Sequence, residues 1–381
     1  MLEEHTGSTK PREMLRSDNM RESKNKRMLL IFVVGILIAV AFAGGYVISQ
    51  PVNSKEDMRE TVTVQDSADR YVKVPYPVES VVVLWDNPTE EIKALGAVDR
   101  ILGIDTATKD KVDQGFYPEL KNTPVIGSWD EPNYEKIAEL DPDVVIMLSS
   151  YPPLPEEVQK HLDPFDIAVV GLDFYITEAY IREVKTLGFM LGLDNETDEY
   201  IAFFEDKWDM ISSKISEIPD EERKSVYFEG ADEYQTYGGA DYGCGIPGMI
   251  RAGGGIDLYP EISMYAFEAD PEDIAQRNPD VIFKGQYEGY LLKDNSHFAS
   301  VYDSITARSE LAGSTAVTSG EVYVISFDVT GGARKKFGPM FIAKMLYPDK
   351  FTDFDPESVL KEYFETYLDL TWQGVYVYPE I

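Results

Sequence analysis

Glu135-Lys-Ile-Ala-Glu-Leu-Asp-Pro-Asp-Val-Val-Ile146 returns later in the chain as Glu272-Asp-Ile-Ala-Gln-Arg-Asn-Pro-Asp-Val-Ile-Phe283. The two stretches align without a gap at Glu, Ile, Ala, Pro, Asp and Val, at an offset of 137 residues. That offset is too long for a solenoid repeat and suits two globular lobes in tandem. Each copy spells the same local device. Asn133 and Asp270 stand two residues before the shared glutamates, where a side-chain oxygen can cap a helix, and Pro271 suits a first helical position. Asp-Pro or Asn-Pro then stops the helix, because the residue before proline is pushed out of the α region. The segments Val144-Val-Ile-Met147 and Val281-Ile-Phe283 that follow are apolar and mostly β-branched, as in strands buried on both faces.

The neighbourhoods agree. Val81-Val-Val-Leu84 opens the first half, followed by a predicted helix from Thr89 to Leu95 that ends at Gly96. Ser225-Val-Tyr-Phe228 opens the second, followed by a helix through Met249 and Ile250 into Gly253-Gly-Gly255. A later strand closes on an aspartate in each half, Ile167 to Asp173 and Val322 to Asp328. Between the halves, Ile181, Val184, Leu187 and Leu191 share one helical face, and Ile201, Phe204, Trp208, Ile211 and Ile215 share another. The expected fold is therefore α/β, with two Rossmann-like lobes bridged by a helical spine.

Composition bounds the function. A formal net charge of −33 over 381 residues argues against nucleic acid, whose phosphates need clustered Lys and Arg. The single cysteine, Cys244, permits no intramolecular disulfide. Met28 to Ile48 carries no charge and as a helix would span roughly 32 Å, enough for a bilayer core. Arg21, Lys24, Lys26 and Arg27 precede it and would stay in the cytoplasm by the positive-inside rule; cleavage as a signal, near Ala41-Phe-Ala43, is the competing reading. The expected organisation is a cytoplasmic basic segment (1–27), a transmembrane anchor or signal (28–48), a tether (49–60), a first α/β lobe (61–175), bridging helices (176–217) and a second α/β lobe (218–381). The main domain is then extracytoplasmic, and Asn195-Glu-Thr197 is a glycosylation sequon in a predicted loop.

The ordered set Tyr71-Val-Lys-Val-Pro75, Glu91-Ile-Lys-Ala-Leu-Gly96, Ile101-Leu-Gly103, Val125-Ile-Gly127, Asn133-Tyr-Glu135 and Pro142-Asp143, with Ala252-Gly-Gly254, Asn278-Pro-Asp280 and the run from Val322 to Tyr347-Pro348, resembles the substrate-binding proteins of ABC importers for iron-siderophore, haem and cobalamin. The resemblance covers roughly residues 61 to 350. It implies ligand held between two lobes with little hinge motion, and partners in a membrane permease and its ATPase. It also implies that Glu135 and Glu272 dock onto arginines of that permease. As residues, both glutamates also suit the first turn of a helix, where an acid favours the dipole.

Open α/β sheets place ligands beyond the carboxyl edges of their strands. Those edges are aromatic here: Trp85, Trp129, Tyr151, Phe174 and Tyr175 in the first half; Tyr234, Tyr237, Tyr242, Gln286, Tyr287, Tyr290 and Phe327 in the second. As a set they favour a pocket for a flat or chelated ligand. Arg334 is the candidate guanidinium clamp for a carboxylate or hydroxamate, with Lys335, Lys336 and Arg251 nearby in type. So acidic a protein disfavours a highly anionic chelate, and a neutral or weakly charged complex or a corrinoid fits better.

Only His5, His161 and His297 exist and no His/Cys cluster has ligand spacing, so no protein-bound metal is expected; Asp173 and Asp328 are expected to cap turns. No nucleophile elbow, zincin motif or completed phosphate loop is present, and the chain is not expected to be an enzyme. No cofactor is expected, and any iron or cobalt would arrive with the cargo. The sequence thus points to a membrane-tethered receptor that hands a metal chelate or corrinoid to an ABC importer. The rival is a membrane-anchored ligand sensor without a transport role.

Overall fold

The computed structural model describes residues 59–239 and 245–381. The Met28–Ile48 run, the tether up to residue 58, Tyr242 and Cys244 lie outside them. Among the described residues, no helix is long and apolar enough to cross a membrane.

In lobe one, β3 (Val81–Leu84), β4 (Ile101–Gly103), β5 (Val144–Met147) and β6 (Ala168–Gly171) form a parallel sheet of order β4-β3-β5-β6. Central strands β3 and β5 are buried at every position, as their unbroken apolar runs require. In lobe two, β7 (Ser225–Glu229), β11 (Val281–Gln286) and β12 (Val322–Ser326) form the parallel heart of a larger sheet. Short strands flank it: β8 (Gln235–Thr236), β9 (Ile256–Asp257), β10 (Phe267–Glu268) and β13 (Val377–Tyr378), the last antiparallel to β12. A separate hairpin, β1 (Thr61–Gln65) with β2 (Tyr71–Pro75), precedes lobe one.

The repeated phrase folds twice into the same device. Helix Tyr134–Leu140 is capped by Asn133, whose side chain accepts from Lys136 N at 3.0 Å, and helix Pro271–Arg277 by Asp270, which accepts from Glu272 N at 2.8 Å. The pre-proline residues Asp141 and Asn278 both turn left-handed, with φ of 47° and 52°. The repeated aspartate then does the same work in both lobes. Asp143 accepts from Ser80 N while Ser80 Oγ accepts from Asp143 N; Asp280 and Ser225 repeat this reciprocal pair. Each pair sets the start of the lobe's first strand against the next.

Helices Tyr180–Leu191 and Asp194–Ser216 form the bridging spine. A Cβ on Gly188 would sit 1.7 Å from Thr197 Oγ1, so only glycine permits their close approach. One hydrophobic core runs from lobe one through the spine (Tyr200, Phe204, Ile211) into lobe two (Met249, Phe337, Phe364), while a smaller core lies under the far face of each sheet. The helix expected at Thr89–Leu95 begins earlier, at Asp86, because the chain turns directly from β3 into it. The strands expected to run to Asp173 and Asp328 end at Gly171 and Ser326, where turns take over.

Candidate functional site

β3 ends at Leu84, and Trp85 turns the chain with φ 138° and ψ 156°, a region essentially reserved for glycine. This sharp turn places the first turn of helix Asp86–Ala94 at the carboxyl edge of the lobe-one sheet. The ends of β5 and β6 are tied together beside it. Asp173 accepts from Ser149 N at 2.7 Å and from Ser150 Oγ at 3.1 Å, and Ser150 Oγ bonds Tyr175 OH. From behind, buried Glu183 accepts from Phe174 N and from Ser67 Oγ, and burial pushes its carboxyl up to about 7. Asp173 therefore organises the strand ends rather than offering a metal ligand. Asp328 is likewise engaged, by Tyr290 N at 2.9 Å and Arg334 Nη1 at 2.9 Å.

Facing these elements across the cleft are Tyr237, Ile246, Tyr265, Tyr287, Phe327 and the Gly331–Lys335 turn of lobe two. Asn87 clasps the two sides together: Nδ2 donates to Asp173 O at 2.8 Å, and Oδ1 accepts from Ala333 N at 3.1 Å. Gly332 passes so close that a Cβ would lie 2.6 Å from Asn87 Oδ1, at φ 52°. The cleft consists of two connected chambers. The larger, about 520 Å³, is lined by charged and polar groups including Asp86, Glu90, Asp110, Lys111, Gln114 and Arg334. The smaller, about 280 Å³, is walled by Trp129, Leu148, Tyr151 and Tyr175. Trp85, Asn87, Tyr265, Gly332 and Lys335 line both and form the waist.

Of the residues singled out in the sequence, Trp85, Trp129, Tyr151, Tyr175, Tyr237, Tyr287 and Phe327 come together here. Trp85 and Trp129 meet edge to face at 5.2 Å, Trp129 and Tyr151 at 6.2 Å, and Tyr287 lies on Phe327 at 5.0 Å. Four others lie elsewhere. Phe174 is fully buried in the core that joins the lobes. Tyr234 stacks over the Arg308 guanidinium at 4.7 Å and bonds Glu310, drawn there by the buried Glu229–Arg308–Lys284 cluster. Tyr290 is 6% exposed and packs on Phe116 at 4.6 Å, inside the core that joins the lobes. Gln286, the half-buried last residue of β11, lines neither chamber of the cleft. Tyr242 is not among the described residues.

Arg334 lines the larger chamber yet is only 4% exposed. Its guanidinium lies between Glu90 and Asp328, at 2.8 and 2.9 Å, and over the Phe116 ring at 4.3 Å. The expected ligand clamp is thus an internal strut, each of its three nitrogens set against a carboxylate. Arg251 pairs with Glu178 at the surface, and Lys336 is wholly buried. Asp86, Asn87, Asp110, Lys111, Gln114 and Tyr265 were not foreseen. Trp85-Asp-Asn after a strand was the available signal for the first pair. Asp110 and Gln114, one helical turn apart, carry no local mark of a site.

Burial pushes the Asp86 carboxyl above the usual carboxylate range, against the opposing pull of Lys111. For Glu90, burial acts upward, but Arg334 and Lys336 together hold it below its ordinary value. Among the described residues, no group of three or more His, Cys, Asp or Glu is arranged to hold a metal ion. Glu135 and Glu272 are both exposed in the first turn of their helices. Each helix runs back along the strand it feeds, so both acids lie toward the carboxyl edges, the side on which the cleft opens.

A family profile described as periplasmic binding protein matches residues 81–329. The molybdate-binding protein MolA of Haemophilus influenzae is 21% identical over 335 residues, covering 80% of this chain and 90% of that protein. A probable siderophore-binding lipoprotein of Bacillus subtilis, YfiY, is 22% identical over 323 residues, covering 82% and 94%. Among solved structures, the TroA-like periplasmic binding protein FepB from Veillonella parvula superposes with a TM-score of 0.73 at 23% identity, over 83% of this chain and 99% of that one.

Proposed function

The chain belongs to the periplasmic binding protein family, and from that premise we propose that it is the extracytoplasmic solute-binding component of an ABC importer, tethered to the membrane through Met28–Ile48. Its cargo is a metal chelate: an iron-siderophore first, cobalamin or haem next. The observation that carries this reading is the cleft between the lobes, walled by Trp85, Trp129, Tyr151 and Tyr175 of lobe one and Tyr237 and Tyr265 of lobe two. Large rigid rings give contact area to a bulky ligand at low entropic cost.

Capture in the cleft is followed by docking on the permease through Glu135 and Glu272, one from each lobe. The test is titration of the purified full-length chain with ferric siderophores, haem and cobalamin, following tryptophan quenching and confirming hits by calorimetry. Saturable binding at micromolar or tighter Kd is expected for at least one of them. A folded protein that binds none of them would overturn the chelate reading and favour a ligand sensor or another solute.

A further inference from the structure

The two chambers differ in chemistry, and their difference constrains the ligand. Trp85 and Trp129 meet at an interplanar angle of 89°, and Tyr151 and Tyr265 at 83°. The smaller chamber therefore offers ring faces and ring edges at right angles, the arrangement in which a guest ring stacks on one wall and receives an edge from another. A cavity of about 150 Å³ lined by apolar side chains suffices for a benzene ring. A volume of about 280 Å³ has room for a substituted or fused ring.

The larger chamber has a different supply of groups. Its three cations are each engaged: Arg334 between Glu90 and Asp328, Lys111 at 3.6 Å from Asp328, and Lys335 over the Tyr175 ring at 4.7 Å. Asp86 and Asp110 line the same space and have no side-chain hydrogen-bond partner among the described residues. An anion entering here meets carboxylates and finds the guanidinium already matched. A neutral or cationic group with hydrogen-bond donors finds acceptors in Asp86, Asp110 and Gln114.

We propose that the cleft selects an aryl-bearing organic solute of zero or positive net charge, its ring in the Trp129–Tyr151–Tyr175 chamber and its polar arm against Asp86 and Asp110. The proposal rests on the reading of the chain as a solute receptor and narrows it, setting neutral or cationic chelates that carry an aryl group ahead of anionic ferric siderophores and haem. Small oxyanions and polyanionic chelates are disfavoured, because they would meet Asp86 and Asp110 while Arg334 is already paired with Glu90 and Asp328. Specificity resides in Trp129 for the ring and in Asp86 and Asp110 for the charge.

Four probes separate ring from charge: cyanocobalamin (neutral, with a benzimidazole), ferrioxamine B (cationic, no aromatic ring), the ferric tris-catecholate trianion, and molybdate. Each is titrated into the full-length chain and into the Trp129→Ala and Asp110→Asn variants, with folding checked by circular dichroism. Cyanocobalamin is expected to bind tightest and to lose at least ten-fold in affinity in Trp129→Ala, while ferrioxamine B shifts less than two-fold. The tris-catecholate and molybdate are expected at least a hundred-fold weaker, with Asp110→Asn recovering part of the loss for the trianion. Tightest binding of the trianion or of molybdate would overturn the charge selection and leave the receptor reading standing. A tight cyanocobalamin complex indifferent to Trp129→Ala, or ferrioxamine B binding tightest, would overturn the ring site alone. Silence of all four probes on the folded chain would overturn the proposal and the chelate reading together.

Discussion

Glu91 of lobe one and Lys336 of lobe two meet at 2.7 Å with neither side chain reaching solvent. Tyr180 and Tyr200 of the spine donate to the same carboxylate at 3.0 and 2.9 Å, and Lys336 also reaches Tyr200 and Tyr363. Next to this pair, Glu90 accepts from Arg334 and from Tyr363. Both lobes and the spine therefore share one buried, hydrogen-bonded network. Such a network adds little net stability over an apolar core, but it penalises any displacement that strands a charge. It ties lobe one, the spine and lobe two to one another through buried charges.

Removing one partner of that network should be costly. Lys336→Met leaves Glu91 buried without its cation, and a loss of about 3–5 kcal/mol is expected. Adding Glu91→Gln should recover part of the loss, because the stranded charge is gone. Urea unfolding of the three proteins measures both effects; unchanged stability in the single variant would contradict the role given to the pair.

Charge reversal at the two repeated glutamates should separate transport from binding. Glu135→Lys with Glu272→Lys is expected to abolish uptake by cells while Kd for cargo stays within two-fold, since both side chains are exposed and outside the cleft. Uptake assays and calorimetry on the same variant check this. A large loss of ligand affinity would place the glutamates in the wrong role.

Backbone strain at Trp85 gives a third expectation. Its φ of 138° costs on the order of 1–3 kcal/mol for a residue other than glycine. Trp85→Gly relieves that strain and deletes a cleft wall, so a small net change in stability should accompany a loss of ligand affinity of ten-fold or more. Denaturation and fluorescence titration measure the two; a strongly destabilised variant with unchanged Kd would contradict the assignment.

Glu183 supplies a pH dependence. Its folded carboxyl is raised by burial to about 7, above the value near 4.3 of an unfolded chain. Between those values the native state keeps a proton that the unfolded state has released. Stability therefore falls as pH rises from about 4.5 to 7 and levels above, by about 3 kcal/mol from this group. Glu183→Gln keeps the acceptor for Phe174 N and should flatten the profile between pH 5 and 8. A smaller slope of the same sign remains from Asp105 and Asp257, each raised by burial to about 6. An unchanged profile in the variant would rule Glu183 out as its source.

The repeated phrase was legible because everything it encodes is local. A capping side chain, a residue before proline and a β-branched run each act within one turn, so the two helix-turn-strand units could be read from fourteen residues apiece, 133–146 and 270–283. The cleft aromatics were legible as a class, because strand ends carry sites in open sheets. Individual members were not. Tyr290 and Tyr234 look in the sequence like Tyr237 and Tyr287, yet the first fills the core between the lobes and the second covers a buried arginine. Arg334 is the sharpest case. Its sequence neighbourhood, after Gly331-Gly332, reads as an exposed loop cation, and only the approach of Glu90 from 244 positions earlier turns it into a strut.

By itself, then, the sequence determined two α/β lobes, the helices between them, the buried strands and the edge on which a ligand would be held. The tertiary structure alone decided which charges are available to that ligand. Periodicity and caps report interactions over three or four residues, whereas the pairing of Glu90 with Arg334 and Glu91 with Lys336 depends on how the two sheets are docked, and no short stretch of chain carries that information.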